Sequence, residues 1–146
     1  MTSQLNVDTI VDKAGSGGTN VKIGNTSTYV SDGGAVTQNT VQAVIKCWAR
    51  WDMSGTAAND DTFSISSFND DATGKCTQTF TNNFSNTTYV ITVGNGEQSG
   101  GGNRGIGCNT PTTSTTKFFS FTFPSSGGSD ANDVDLNCAS WQGDLA

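Results

Sequence analysis

The chain has 146 residues, a net charge of −6, a pI near 4.2, no histidine, and only 14% charged residues against about 25% in an average protein. Its seven Lys and Arg residues are scattered rather than clustered, which argues against nucleic acid or an anionic membrane as partner. The missing histidine removes Ser-His-Asp and Cys-His chemistry, and the polar surface must come from Thr, Ser, Asn, Gln and Gly.

Residues 1–40 read as an N-terminal β arm. Alternation of Leu5, Val7 and Thr9 with Asn6 and Asp8 predicts a short strand over 4–11. AGSGGT at 14–19 is a turn, 21–23 and 28–30 are further β pieces, and SDGGA at 31–35 is another turn. Strands this poor in large apolar residues do not build a core of their own. Leu5, Val7, Ile10, Val21, Ile23 and Tyr29 are therefore the expected subunit or capsid contacts. The N-terminus lacks a basic segment leading into an apolar one, so synthesis in a cytoplasm without a signal peptide is expected. No apolar run approaches the ~20 residues of a membrane span.

Residues 41–146 read as one all-β domain. The densest β signal is 41–51, where Trp48 and Arg50 share one parity and Cys47, Ala49 and Trp51 the other. After a polar break at 52–61, strands are predicted over 62–68, 75–80, 87–93, 116–123 and 133–141. A long Gly-rich loop is predicted over 94–115. Short strands with Gly-rich turns predict an antiparallel β-sandwich or a jelly-roll-like fold with little or no helix. In KFFSFTF, Phe119, Phe121 and Phe123 share one face and are assigned to the core. Phe118, on the other face, becomes a second contact toward a neighbouring subunit.

Chemical motifs are weak. GGGNRG at 100–105 matches GxGxxG but opens no helix, so it reads as a surface loop. Asp133, Asp135 and Asn137 begin a calcium-loop pattern. Cys138 then stands where that loop needs glycine, so a solvated strand face is the simpler reading. Asn25, Asn83 and Asn86 start sequons that matter only in a secreted chain. Asp60, Asp61, Asp70 and Asp71 lie in turns and are no designed carboxylate pair. The cysteines at 47, 76, 108 and 138 are too widely spaced for zinc and read as buried free thiols, with two disulfides as the other possibility. Trp48, Trp51, Trp141, Tyr29 and Tyr89 read as core or interface packing. A sugar-stacking platform would require one of these rings to be exposed beside Asp or Asn.

The segments LNVDTIVDKAGSGG, VQAVIKCWARWDMSGT, TFSISSFNDDATGKCTQTFTNNF and NTTYVITVGNG resemble a recurrent module of marine and freshwater phages, including cyanophages, over about residues 4–95. The features that carry it are Lys46 with Trp48, residues 54–56, a strand ending at Asp70, Gly74, Phe80 with Thr81, and Asn86 with Tyr89. The resemblance implies a tail-fibre-like or other virion structural protein, trimeric and without enzyme activity or cofactor. The chain is short for a fibre, so a trimeric capsid cement or decoration protein on the virion surface is expected, partnered by itself and the major capsid protein or another virion protein. The alternative is a receptor-binding tip, with Trp48, Asn103 and Arg104 as contacts to a host glycan.

Overall fold

The computed structural model describes residues 28–30, 37–39, 43–96, 103–124 and 127–145. Backbone packing divides the chain into two units, Met1–Val41 and Gln42–Ala146. In the first, β1 (Thr28–Val30) pairs antiparallel with β2 (Thr37–Asn39), and Tyr29 stands opposite Gln38. Leu5, Val7, Ile10, Val21 and Ile23 lie outside the described residues.

The second unit contains two antiparallel sheets. Sheet one has the order β4 (Ala58–Phe63), β3 (Ile45–Asp52), β11 (Leu136–Gln142), β7 (Val90–Gly96). Sheet two has the order β5 (Ile65–Ala72), β6 (Lys75–Phe80), β9 (Thr115–Thr122), β8 (Arg104–Asn109). The two-residue β10 (Asp130–Ala131) continues the β6 side of β9. This is the expected all-β sandwich.

The sheets face each other through rings. Trp51 of sheet one meets Phe118 of sheet two with centroids 5.0 Å apart, and Trp141 meets Phe118 at 5.7 Å and Phe80 at 5.4 Å. Such tilted and edge-on contacts suit the ring quadrupole. On β3 the alternation separates two parities, and the inward one is that of Cys47, Ala49 and Trp51. On β9 the expected assignment is reversed. Thr116, Phe118 and Ser120 point inward, whereas Phe119 and Phe123 are 39% and 50% exposed. Phe118, 2% exposed, is therefore core and offers no surface to a second subunit. The physical reason lies opposite it. Phe118, between Thr116 and Ser120 on its parity, packs against both indoles, and Thr116 gives the Trp141 indole N–H its acceptor.

Those buried polar groups are partnered, as burial demands. The Trp141 indole N–H donates to Thr116 Oγ1 at 3.1 Å, and the Tyr89 hydroxyl lies 2.9 Å from the same oxygen. Gln78, fully buried, exchanges two amide hydrogen bonds with Asn59 across the sheets, at 2.7 and 3.3 Å. All four cysteines are free thiols. Cys47 and Cys76 are buried, and burial pushes both thiols up to about 12. Cys108 and Cys138 are exposed, against the expectation that all four lie inside.

Four strands, β2, β4, β8 and β10, lie wholly or mostly outside the predicted ones. The polar break hides β4, an edge strand that needs little apolar surface. Ser64, at φ 57°, then turns the chain from sheet one into sheet two, splitting the predicted 62–68 strand. The predicted 94–115 loop holds β8, whose Gly105 and Gly107 stand opposite Phe121 and Phe119.

The reversed parity sets an expected stability contrast. Phe118→Ala should cost about 3–5 kcal/mol in denaturant unfolding, as for a buried aromatic. Phe119→Ala should cost about 1 kcal/mol or less, in line with surface positions. Equal losses would contradict the assignment of the two faces.

Candidate interaction surface

The outward face of sheet two is built by β9 and its neighbours. Along β9 it presents Lys117, Phe119 and Phe121, followed by Phe123 just past the strand. A Cβ added to Gly107 would come within 2.3 Å of the Phe119 ring, and one added to Gly105 within 2.4 Å of the Phe121 ring. The two rings thus rest directly on the backbone of β8, a cross-strand arrangement in which an aromatic ring covers a glycine. They are 20° from parallel with centroids 5.9 Å apart, and Phe123 stands edge-on to Phe121 at 5.0 Å. The result is an apolar platform with a raised end.

Its border is polar. Lys75 stands opposite Phe119 on β6, and a row of Asn69, Thr77, Lys117 and Asn109 crosses four strands in register. Asp71 closes this row by accepting from Thr77 Oγ1 and Asn69 Nδ2, each at 2.5 Å. The Thr77 hydroxyl holds the Asp71 carboxyl below its ordinary value of 3.8; Asn69 and the Lys117 charge act the same way, against desolvation. Platform and border enclose a groove of about 520 Å³, within the range of small-molecule sites. Gly74, at φ 68° in the β5–β6 turn, lines one end; a Cβ there would meet the Ser120 carbonyl oxygen at 2.5 Å. Only glycine lets this hairpin pack against β9.

Sheet one turns a different surface outward. Trp48 is 37% exposed, whereas Trp51 and Trp141 are fully buried and Tyr89 is 9% exposed. Across the strands, Phe63, Trp48, Ser140 and Thr92 stand in register as one row. Arg50, two residues along β3 on the same face, is ion-paired through Nε to Asp60 Oδ2 at 3.1 Å.

Trp48, Asn103 and Arg104, expected together as glycan contacts, are not brought into one site. Trp48 belongs to the outward face of sheet one. Arg104 stands opposite Thr122 in sheet two, and the Asn103 carbonyl accepts the Phe123 amide at 3.1 Å. Phe119 and Phe123, with the half-buried Phe121 between them, carry an exposed surface instead; their shared parity groups them but does not say which way they face. Among the described residues no group of three His, Cys, Asp or Glu side chains is placed to hold a metal ion. Asp133 instead accepts the Gly74 amide at 2.6 Å. Among the described residues no helix is long and apolar enough to cross a membrane.

The Asp71 hydrogen bonds predict a titration. Its folded pKa is depressed, so its contribution to stability is present above the unfolded value and is lost as pH falls through the folded one. Carboxyl NMR should place the Asp71 midpoint below 3.8, and Thr77→Val should raise it. A midpoint unmoved by Thr77→Val would remove Thr77 as the cause. Comparison with protein-family models, with curated proteins and with solved structures finds no match for this chain.

Proposed function

We propose that the chain is a non-enzymatic phage virion structural protein, a homotrimeric capsid decoration or cement protein acting from the outer surface of the head. The observation that carries a contact role is the outward stripe of Phe119, Phe121 and Phe123. Exposed aromatic side chains grouped on one sheet face are what an interaction surface leaves uncovered in an isolated chain. Covering the exposed parts of Phe119 and Phe123 would contribute on the order of 1 kcal/mol each. The virion setting and the trimer rest on the resemblance over residues 4–95.

The mechanism is mass action. A protein that binds only the assembled lattice stabilises it by the free energy of that binding. In this reading the contact role first given to Phe118 passes to the three outward phenylalanines, with the N-terminal residues as further contacts. The second reading, a receptor-binding tip, is favoured by the exposed Trp48 ring.

Copy number separates the two. Quantitative mass spectrometry of virions against the major capsid protein should find copies in proportion to the lattice, and Phe119→Ser with Phe121→Ser should abolish incorporation. Copies matching the few fibres of a tail would sink the decoration reading and favour the tip. Absence from virions would overturn both.

A further inference from the structure

We infer that the outward face of sheet one carries a binding site for a neutral saccharide, centred on Trp48. The face holds a shallow trough of about 290 Å³, close to the lower end of small-ligand sites. Trp48 lines it together with small residues of β11 and β7, Ser140, Thr92 and Gly94. Phe63 stands in register with Trp48 on the opposite side and is 53% exposed.

A pyranose ring has an apolar face of C–H groups and a rim of hydroxyls. Trp48 supplies the broad apolar surface that such a face stacks on. The Ser140 and Thr92 hydroxyls both donate and accept, and the Arg50 guanidinium adds donors beyond the Nε already engaged. Ser140 and Thr92 stand in register with Trp48, and Arg50 lies two residues along β3 on the same face, so hydroxyls and a guanidinium flank the ring. Charge bears on the ligand class. Arg50 is the charged residue that lines the trough, and its Nε is already paired with Asp60 at 3.1 Å, which suits a neutral sugar better than a uronate or a phosphate.

The inference does not depend on where the protein sits in a virion, so its failure and that of the decoration reading are separately visible. The trough contains its own reporter. Cys138 is an exposed free thiol that lines the trough, with Sγ 3.4 Å from the Gly94 carbonyl. Cys108, exposed in sheet two, is the internal control.

The test is iodoacetamide labelling of the folded full chain, read peptide by peptide. The probes are a panel of neutral tetrasaccharides (cellotetraose, maltotetraose, N-acetylchitotetraose) and the anionic tetragalacturonate. At roughly ten times its Kd, a bound neutral sugar should slow Cys138 labelling by about tenfold through occupancy alone, with Cys108 unchanged. Trp48→Ala should abolish this protection. Thr92→Trp, which fills the trough from an exposed position and leaves Trp48 in place, should abolish it as well and keeps the test open if Trp48→Ala fails to fold. Fluorescence provides a second readout, because Trp48 is the one outward tryptophan of three. Absence of protection by every neutral sugar would overturn the inference. So would protection that survives both substitutions, protection by tetragalacturonate alone, or self-association in sedimentation velocity that Trp48→Ala removes, which would assign the face to a second copy of the chain.

Discussion

The placement of Phe118 between Trp51 and Trp141 is the constraint on which the two faces of the domain depend. Side chains on a strand alternate, so once one residue is committed inward, every residue of that strand is committed. Phe118 contacts both indoles, at 5.0 and 5.7 Å. That commits Thr116 and Ser120 to the interior and turns Phe119 and Phe121 outward. Thr116 makes the choice consistent, because its hydroxyl is the acceptor the buried Trp141 indole requires. With Phe119 inward instead, Thr116 would leave the core and that indole N–H would lose this partner, which is costly in a buried place.

The outward phenylalanines then need support, and β8 provides it. Gly105 and Gly107 let the rings lie on the backbone, which no larger residue at either position would allow without a shift. The Gly-rich stretch thus acquires a structural purpose as the floor of an aromatic platform. Sheet one is organised differently, with an aromatic pair continuing into hydroxyls and a neutralised arginine beside it. One domain therefore presents two dissimilar surfaces. One is apolar and bordered by Lys75 and Lys117; the other sets an exposed indole beside hydroxyls and an arginine paired with Asp60.

Much of the fold was legible in the residues. The alternation of β3 separated Cys47, Ala49 and Trp51 from Trp48 and Arg50, and the first set is the buried one. The all-β architecture followed from the Thr, Ser and Asn content and the short apolar alternations. The face of β9 is reversed because three phenyl rings on one parity suggest core, whereas the inward set is fixed by Phe118 against both indoles and by Thr116 accepting from Trp141, partners that lie on another sheet. The strand β4 was hidden because an edge strand tolerates Asn and Asp, and β8 because its glycines are stabilised by rings from a neighbouring strand. Of the surface residues, the parity that Trp48 shares with Arg50 could be read, although by residue type the ring reads as core or interface packing. Its neighbours could not, because Ser140 and Thr92 reach it only through the strand order β3-β11-β7. Local spacing carries no record of which strands become neighbours.

The most direct test of the contact role is hydroxyl-radical footprinting of Phe119, Phe121 and Phe123, in the isolated chain and in purified virions. Labelling of all three should fall sharply on assembly, while the exposed Phe63 on the other sheet serves as reference within the same chain. Equal labelling of the three in both states would mean that nothing covers the platform, and would contradict its role as the assembly contact.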